Sequence, residues 1–298
     1  MIAETKRDLI VLVMSVGSCE KNGTVKFLQK IGAPNERIVV CLPRQFENNA
    51  ESYRAVGLEP FIYDESKYIN SDFEYFGFKP RNCGGVGRQG IAAATDKYDN
   101  ENVILLQLDD DTANYAVRKK VNDKWKWCTI KHWCDFENFW RAMFAFYQST
   151  GIYIAGGTGA TLPDKVFVNR KVYNNFIMQA CDEYKYDGFK ARLNDDIRYN
   201  VMRSLYGDVV FYSIVFGAIN FMQEQGVRTD GNAPLQVLDS AWNKAFAAQM
   251  MFPQWLNMKL SREDATSRFQ FREFMQYNKI YGKILLQDKD GNFYNLKR

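Results

Sequence analysis

Short apolar runs alternate with amphipathic segments along the first part of the chain. Residues 8–16, 37–42 and 59–63 are runs dominated by apolar side chains, and they predict strands. Between them, residues 24–31 and 46–56 carry apolar side chains at helical spacing. This β-α-β-α-β order predicts an α/β fold in which a mostly parallel central sheet is flanked by helices.

An acidic triplet follows the most apolar of the predicted strands. Residues 103–108 contain no charge, which is typical of a strand covered on both faces, and Asp109-Asp110-Asp111 come directly after it. Side chains alternate along a strand, so we expect Asp109 and Asp111 to point one way and Asp110 the other. Two converging carboxylates favour a cation between them, and Mg²⁺ or Mn²⁺ would in turn bind a diphosphate. An acidic loop without a ligand explains the triplet equally well.

A predicted β-hairpin comes next, at residues 115–121 and 124–130 around Asn122-Asp123. Alternation places Trp125, Trp127 and Thr129 on one face and lysines on the other. Such a surface is suited to stacking on bases and contacting phosphates. A hairpin that buries its tryptophans against the sheet is the alternative.

The rest of the chain predicts further elements of the main domain and a smaller appended region. We place a larger α/β domain at residues 1–220 and an extension packed on it at residues 221–298. The predicted elements are a helix at residues 136–147, strands at 152–155 and 209–216, helices at 237–251 and 263–275, and a closing hairpin at 284–287 and 293–296.

Composition and charge narrow the class of protein. A chain of 298 residues with 46% hydrophobic and 15% aromatic residues is globular rather than disordered. Its net charge of +4 equals that of residues 259–298 alone, which favours a polyanion partner or a solvated helix face. The apolar run at residues 8–16 is too short to span a bilayer and lacks a cleavage site, so we expect a soluble cytoplasmic protein with no membrane partner.

Two further segments are suited to contact with a negatively charged ligand. Ser15 lies in the turn-rich sequence that follows the first predicted strand. Residues 85–90 match G-x-G-x-x-G, but no strand precedes them, so we reject a dinucleotide fingerprint. We expect these glycines to bring backbone N–H groups and a helix beginning at Ile91 close to a phosphate, with Arg81 and Arg88 on either side. The alternative is a flexible loop with two surface arginines.

The order of these segments resembles the GT-A fold glycosyltransferases. Arg88-Gln89-Gly90, the small residues up to Ala94, the apolar strand and the triplet are similar to the series R-N-x-G-x-x-x-A, strand, D-x-D of that family. The resemblance implies a Mn²⁺ or Mg²⁺ ion as cofactor and a UDP-linked nucleotide-sugar as donor. It places Asp111 on the metal, Asp109 on the metal or the ribose, and Arg88 on the nucleotide or sugar. Three consecutive aspartates leave open which of them binds the metal, so Asp110 stays a candidate for the donor site.

A second acidic pair lies at Asp195 and Asp196, before a helical pattern at residues 199–205. Asn194 or Asp195 can cap that helix. The resemblance implies instead a catalytic base of an inverting enzyme, which we assign to Asp196 with Asp195 as the alternative. A carboxylate is sufficient to accept the proton of an attacking hydroxyl. Two departures from the family are that no histidine follows His132 and that Q-x-x-R-W is absent, which argues against a processive synthase.

Within the GT-A enzymes the chain looks most like phage DNA glycosyltransferases related to the TET/JBP-associated family. That resemblance implies an acceptor hydroxyl on a hydroxymethylated pyrimidine, such as hydroxymethylcytosine, in double-stranded DNA. Reaching such a base requires a surface that grips phosphates. The alternatives are a glycosyltransferase with a protein or saccharide acceptor and a non-catalytic nucleic-acid-binding module.

Overall fold

The computed structural model describes residues 7–68, 84–98 and 102–150, together with the strands β7 to β15 given below. The chain divides into two compact units, Met1–Leu238 and Asp239–Arg298, and each is described by itself. The predicted division into a catalytic domain at 1–220 and an extension at 221–298 stays a prediction.

Four parallel strands form the centre of the main sheet. Their spatial order is β3-β2-β1-β4, and every neighbouring pair is parallel. The chain therefore runs outward from β1 through β2 to β3 and then returns to the opposite side of β1 with β4. The point between the carboxyl ends of β1 and β4 is a topological switch point, where open α/β sheets hold their ligands. The strands are β1 (Asp8–Met14), β2 (Ile38–Pro43), β3 (Phe61–Tyr63) and β4 (Val103–Leu108).

The sheet continues beyond β4 with mixed directions. Its order there is β4-β9-β7-β10-β8, with β9 antiparallel to both β4 and β7, and β10 parallel to β7 but antiparallel to β8. The predicted strand at 152–155 is confirmed, and the one at 209–216 ends early, at Tyr212. The sequence pattern missed β8 and β9. These strands are β7 (Ile152–Ala155), β8 (Phe167–Val168), β9 (Phe176–Gln179) and β10 (Val209–Tyr212).

Helices cover both faces of the parallel centre, as alternate residues of β1 show. Leu9, Val11 and Val13 are fully buried in a core cluster that contains Phe27 of α1 and Phe136 of α4. Met14, on the other side of the pleat, lies against α3. The predicted α/β fold with a sheet flanked by helices is thus confirmed. The described helices are α1 (Gly23–Lys30), α2 (Ala50–Arg54), α3 (Gly84–Ala94) and α4 (Trp133–Thr150).

A second, antiparallel sheet carries the predicted hairpin. Its order is β11-β5-β6, with β5 (Thr112–Val121), β6 (Lys124–Thr129) and β11 (Phe216–Asn220). Asn122 and Asp123 have φ of 50° and 58°, as the two central residues of a type I′ turn require. The register also confirms that Trp125, Trp127 and Thr129 share one face. Their cross-strand partners in β5 are Lys120, Arg118 and Ala116.

The second unit contains two described hairpins. Its strands β12 (Leu256–Glu263) and β13 (Arg268–Met275) are antiparallel, as are β14 (Leu285–Gln287) and β15 (Phe293–Asn295). The closing hairpin is confirmed, whereas the helix predicted at 263–275 is wrong. Phe269 and Phe271 alternate with polar residues, and full pairing with β12 satisfies the backbone of this segment as a strand. The helices predicted at 237–251 and 199–205 lie outside the described residues.

No helix in the described part of the chain is both long and apolar enough to cross a bilayer.

Candidate functional site

The ends of β1 and β4 meet at the switch point, and a hydrogen bond joins them. Val13 of β1 is the register partner of Leu108 of β4, so Ser15 and the aspartate triplet leave adjacent strands at the same edge. Ser15 Oγ donates to Asp110 Oδ2 at 2.9 Å. Two of the residues predicted to bind the donor, Ser15 and Asp110, are therefore in direct contact.

Tyr53, near the carboxyl end of α2, positions Ser15 through hydrogen bonds. Its hydroxyl lies 3.1 Å from Ser15 Oγ and 3.0 Å from the Gly17 carbonyl oxygen, and it accepts a hydrogen bond from Asn22 Nδ2 at 3.2 Å. The side chain is fully buried, and burial raises the pKa of Tyr53 to about 12. The hydroxyl thus stays protonated and available as a donor to the β1–α1 loop.

The same loop is fastened at further points by the segment around α2. Asn49 Nδ2 donates to the Val16 carbonyl at 2.9 Å, and Ser52 Oγ accepts from the Cys19 N–H at 2.9 Å. Asn22 Oδ1 accepts from the Val25 N–H at 2.8 Å and so caps α1. A loop with this many fixed backbone groups is preorganised rather than shaped by a ligand.

Asp109 points to the other side of the strand, where Arg88 holds it. Arg88 Nη2 lies 3.3 Å from Asp109 Oδ1, and the side chains are 1% and 20% exposed respectively. Arg88 is thus a buried counter-ion of the first aspartate. The opposite directions of Asp109 and Asp110 agree with the predicted alternation, and a contact of Arg88 with a nucleotide or sugar stays a prediction.

Two glycines let α3 approach the sheet closely enough for this ion pair. A Cβ at Gly90 would lie 2.6 Å from ring carbons of Tyr63, and one at Gly87 would meet Cγ of Met14 at 2.9 Å. The expectation that the helix begins at Ile91 is wrong, because α3 already begins at Gly84. Gly87 and Gly90 are interior helical residues whose role is close packing, and their N–H groups belong to the helix rather than to a phosphate.

The backbone of the triplet is held by the first turn of α1. Thr24 N donates to the Asp110 carbonyl at 3.3 Å, and Thr24 Oγ1 donates to the Asp109 carbonyl. Thr112 N in turn donates to Thr24 Oγ1 at 3.2 Å. One threonine therefore fixes the chain on both sides of the triplet.

Asp111 acts electrostatically on the buried Tyr115 hydroxyl together with Asp109. Burial is the main cause that raises the pKa of Tyr115, and the charges of both aspartates raise it further. Hydrogen bonds with Thr112 and Thr24 oppose this rise. The Tyr115 ring packs against Phe27 with the two centroids 5.0 Å apart, which ties this end of the triplet to the core.

Asp109 and Asp111 are candidate ligands for a hard cation that takes its other ligands from water and substrate phosphates. Within the described ranges, no group of three or more His, Cys, Asp or Glu side chains comes together as a metal site. Asp109 and Asp111 are partly exposed carboxylates at the sheet edge. Mg²⁺ is typically bound by one or two carboxylates and completed by substrate phosphates and water, so two carboxylates would be sufficient for such a site. Their assignment to the metal stays a prediction.

Three predicted residues, Arg81, Asp195 and Asp196, lie outside the described residues. Sequence reasoning in turn missed Tyr53, Asn22 and Thr24. Asn22 was detectable, because an Asn directly before a helical pattern is a common N-cap. Tyr53 gave no such signal, since its partners lie more than thirty residues away along the chain.

Comparison with known proteins adds a distant structural likeness. No family model matches the chain, and no curated protein matches it. Among solved structures 22 chains match, one of them a CMP:2-keto-3-deoxy-manno-octonic acid synthetase in complex with CTP. The identity to that enzyme is 11%, the alignment covers 82% of this chain and 99% of the other, and the TM-score is 0.40. At this level of similarity the site rests on its own geometry.

Proposed function

We propose that the protein is a metal-dependent glycosyltransferase that transfers a sugar from a nucleotide-sugar, UDP-linked, to a hydroxyl of a hydroxymethylated pyrimidine in DNA. The observation that carries the proposal is the Ser15–Asp110 hydrogen bond of 2.9 Å. It joins the two strand ends at the switch point of the sheet, where α/β folds bind nucleotides.

The two sides of the triplet have different tasks in this proposal. Asp109 and Asp111 hold Mn²⁺ or Mg²⁺, which when bound neutralises the charge of the departing diphosphate. Arg88 keeps the Asp109 carboxylate ionised and oriented. Ser15 and Asp110 face the nucleoside, on a loop that α2 holds in place.

The acceptor side rests on the resemblance to GT-A enzymes. Asp196, or Asp195 in its place, takes the proton of the acceptor hydroxyl as that oxygen attacks the anomeric carbon. Arg81 contacts the diphosphate. The reaction inverts the configuration of the sugar, because a single displacement with a base on the acceptor does so.

A donor panel tests the proposal directly. We expect a UDP-sugar to raise the melting temperature in the presence of Mn²⁺ and much less with EDTA, because a ligand that binds only the folded state stabilises it. The panel contains UDP- and GDP-sugars, each with and without metal. Equal melting temperatures across the whole panel would contradict a nucleotide-sugar site.

Substitution of Asp111 separates catalysis from binding of the acceptor. Asp111→Asn should lower sugar transfer at least about 100-fold, because the metal supplies several kcal/mol of charge stabilisation. Binding of duplex DNA should be unchanged. Asp96→Asn, an exposed aspartate just after α3, is the matched control and should retain full transfer. Retained transfer in Asp111→Asn would count against the assigned metal site.

Salt distinguishes the donor step from the acceptor step. Hydrolysis of the nucleotide-sugar by water needs no polyanion and should persist at high salt, whereas transfer to DNA should fall steeply because phosphate contacts are lost. An equal response of both rates would argue against a DNA acceptor.

A further inference from the structure

The hairpin that follows the acidic triplet carries more positive charge than the chain as a whole. Between Thr112 and Lys131 there are six Lys or Arg residues and a single acidic residue, Asp123, a net charge of +5. The whole chain has a net charge of +4. The hairpin is therefore one of two basic regions of the chain, the other being residues 259–298 with a net charge of +4.

The outer half of this hairpin is a two-stranded ribbon. Strand β11 pairs with β5 only from Thr112 to Val117, whereas β6 pairs with β5 up to the turn. Among the described strands, residues 118–121 and 124–127 thus pair only with each other. We call residues 118–127 the basic ribbon. Five of its ten residues are cationic, namely Arg118, Lys119, Lys120, Lys124 and Lys126.

The charges of the basic ribbon are not balanced within it. Lys119 and Lys126 are cross-strand partners, and like charges directly opposite each other destabilise a strand pair. Lys120 is 3.0 Å from Asp123 at the turn, an exposed pair that contributes little. Lys124 and Lys126 are exposed, and within the described part of the chain neither has a carboxylate partner. An external polyanion would stabilise this arrangement.

Protection of a sheet edge explains only a fraction of this charge. A lysine on an exposed edge strand prevents pairing with other sheets, and one or two are enough for that purpose. In the basic ribbon the cations occupy both faces, since Lys124 and Lys126 lie on one side of the pleat and Lys120 on the other. Charge on both faces is what a ribbon between two phosphate backbones requires.

We propose that the basic ribbon binds duplex DNA by entering its major groove. The groove is about 12 Å wide and accepts a two-stranded ribbon, whose strands are about 4.8 Å apart. The two faces of the ribbon would then each meet one phosphate backbone. The exposed Val121 at the tip would face the floor of the groove. This inference rests on the proposed function, because it identifies the surface that holds the acceptor polymer.

Strand β5 sets the distance between this contact and the donor site. It begins at Thr112, directly after the triplet, and Lys119 lies seven residues further on. At about 3.3 Å per residue the ribbon contact is roughly 23 Å from the triplet. At about 3.4 Å per base pair, the contact therefore lies at most roughly seven base pairs along the duplex from the base being modified. A duplex that extends further than this on both sides should retain the contribution of the ribbon.

A binding experiment without donor or metal tests the inference. Fluorescence anisotropy with an unmodified duplex of about 24 base pairs compares the wild type with the double variant Lys124→Glu, Lys126→Glu. We expect the Kd of the variant to rise at least about tenfold and the slope of log K against log salt to become shallower by about 2. The matched control is Lys30→Glu, Lys97→Glu, two exposed lysines outside the hairpin with the same change of charge, and it should stay within about threefold of the wild type.

Three results would overturn the inference. One is an unchanged Kd for the ribbon variant, and another is an equal loss in the control, which would indicate attraction by net charge alone. The third is equal affinity for the duplex and for polyglutamate of the same charge. A neutral variant, Lys124→Gln with Lys126→Gln, guards against misfolding, because it should weaken binding in the same direction with an unchanged melting temperature.

Failure of the ribbon and failure of the proposed function give different results. The ribbon variant leaves the donor site intact, so hydrolysis of the nucleotide-sugar by water should be unchanged. If that hydrolysis is absent in every protein while the ribbon variant still loses DNA binding, the ribbon inference stands and the glycosyltransferase proposal falls. If hydrolysis is present and DNA binding is unaffected by the ribbon variant, the reverse holds.

Discussion

Asp109 and Asp110 are neighbours in the sequence, but they are held by different kinds of interaction. Asp110 accepts a hydrogen bond from Ser15, behind which lies the buried hydroxyl of Tyr53. Asp109 faces the opposite side of the strand and is paired with the guanidinium of Arg88, which is 1% exposed. One side of the site therefore depends on hydrogen bonds from uncharged hydroxyl groups and the other on a buried ion pair.

The difference has an energetic consequence. Removal of a hydroxyl donor at a half-buried group costs about 1 kcal/mol, because water or a neighbouring group replaces part of the hydrogen bond. Removal of one partner of a buried ion pair costs about 3–5 kcal/mol, because a charge is left without compensation. We therefore expect the Arg88 side to determine stability and the Ser15 side to determine fine positioning.

The largest expected effect is that of Arg88→Ala. The substitution leaves the Asp109 carboxylate without its cation and opens a cavity where a fully buried side chain was. Because Asp109 is still 20% exposed, water recovers part of the loss, and we expect a destabilisation of about 3 kcal/mol in urea unfolding.

Arg54→Ala is the control for this prediction. Arg54 also forms an ion pair, with Glu59 at 2.9 Å, but its side chain is 43% exposed. The expected loss of stability is much smaller than that of Arg88→Ala, because solvent screens an exposed ion pair. If both variants lost the same stability, burial would not distinguish the two ion pairs and the comparison between the sides would fail.

A smaller effect is expected from Gly90→Ala on the Arg88 side. The new Cβ would collide with the Tyr63 ring, which is stiff and buried, so α3 must move outward. Overpacking of this kind costs about 1–3 kcal/mol, and alanine in a helix returns about 1. We expect a net loss of up to about 2 kcal/mol in urea unfolding.

Gly87→Ala provides the matched comparison within the same helix. Its Cβ meets the flexible end of Met14, which can rotate away, so the gain in helix propensity should offset most of the cost. Equal losses in the two variants would show that Tyr63 yields as readily as Met14.

Tyr53→Phe tests the Asp110 side. The substitution leaves the buried Asn22 amide without its acceptor and the Gly17 carbonyl without its donor, and we expect a loss of about 1–1.5 kcal/mol at neutral pH. The measurement is urea unfolding of wild type and variant across a pH series.

The pH dependence of this difference has a definite sign. The pKa of Tyr53 is about 12 in the folded protein against a model value of 10.0, so between these values the unfolded chain has lost a proton that the folded protein retains. The stability that the tyrosine contributes is complete below pH 10 and is lost as the pH rises towards 12. At about pH 11 the loss is about 1.4 kcal/mol, so the deficit of the variant should nearly vanish. A deficit that is constant with pH would mean that Tyr53 titrates normally.

Local patterns were sufficient to predict the parallel half of the sheet. Strands β1, β2 and β4 are dominated by apolar residues, and burial on both faces is what such runs indicate. Strands β8 and β9 were missed because β8 is only two residues long and β9 inserts antiparallel between β4 and β7, an arrangement set by long-range pairing. Strand β13 was assigned as a helix because Phe274 breaks its alternation.

The acidic edge was predictable to a similar extent. The pleat of a strand gives the opposite directions of Asp109 and Asp110 from sequence alone. The glycines around Arg88 were placed in a loop, because a G-x-G sequence carries no sign of the aromatic ring on which it will pack. Tyr53 could not be found, since a tyrosine in a short helix becomes part of a site only through tertiary contacts.

The smallest expected effect is that of Ser15→Ala, and it gives the sharpest test of the comparison. The substitution removes the donor to Asp110, but Asp110 is only half-buried, so water can replace the hydroxyl, and Tyr53 keeps the Gly17 carbonyl as a partner. We expect a loss of about 0.5–1 kcal/mol in urea unfolding, below that of Tyr53→Phe. Ser66→Ala is the control, because it removes a bond of the same type, from Ser66 Oγ to Asp64 Oδ1 at 2.6 Å, at an exposed position, and it should cost close to nothing. If Ser15→Ala lost as much stability as Arg88→Ala, the hydroxyl network and the buried ion pair would stabilise the edge equally. The loop that Ser15 anchors would then contribute as much to the free energy of unfolding as the ion pair of Arg88.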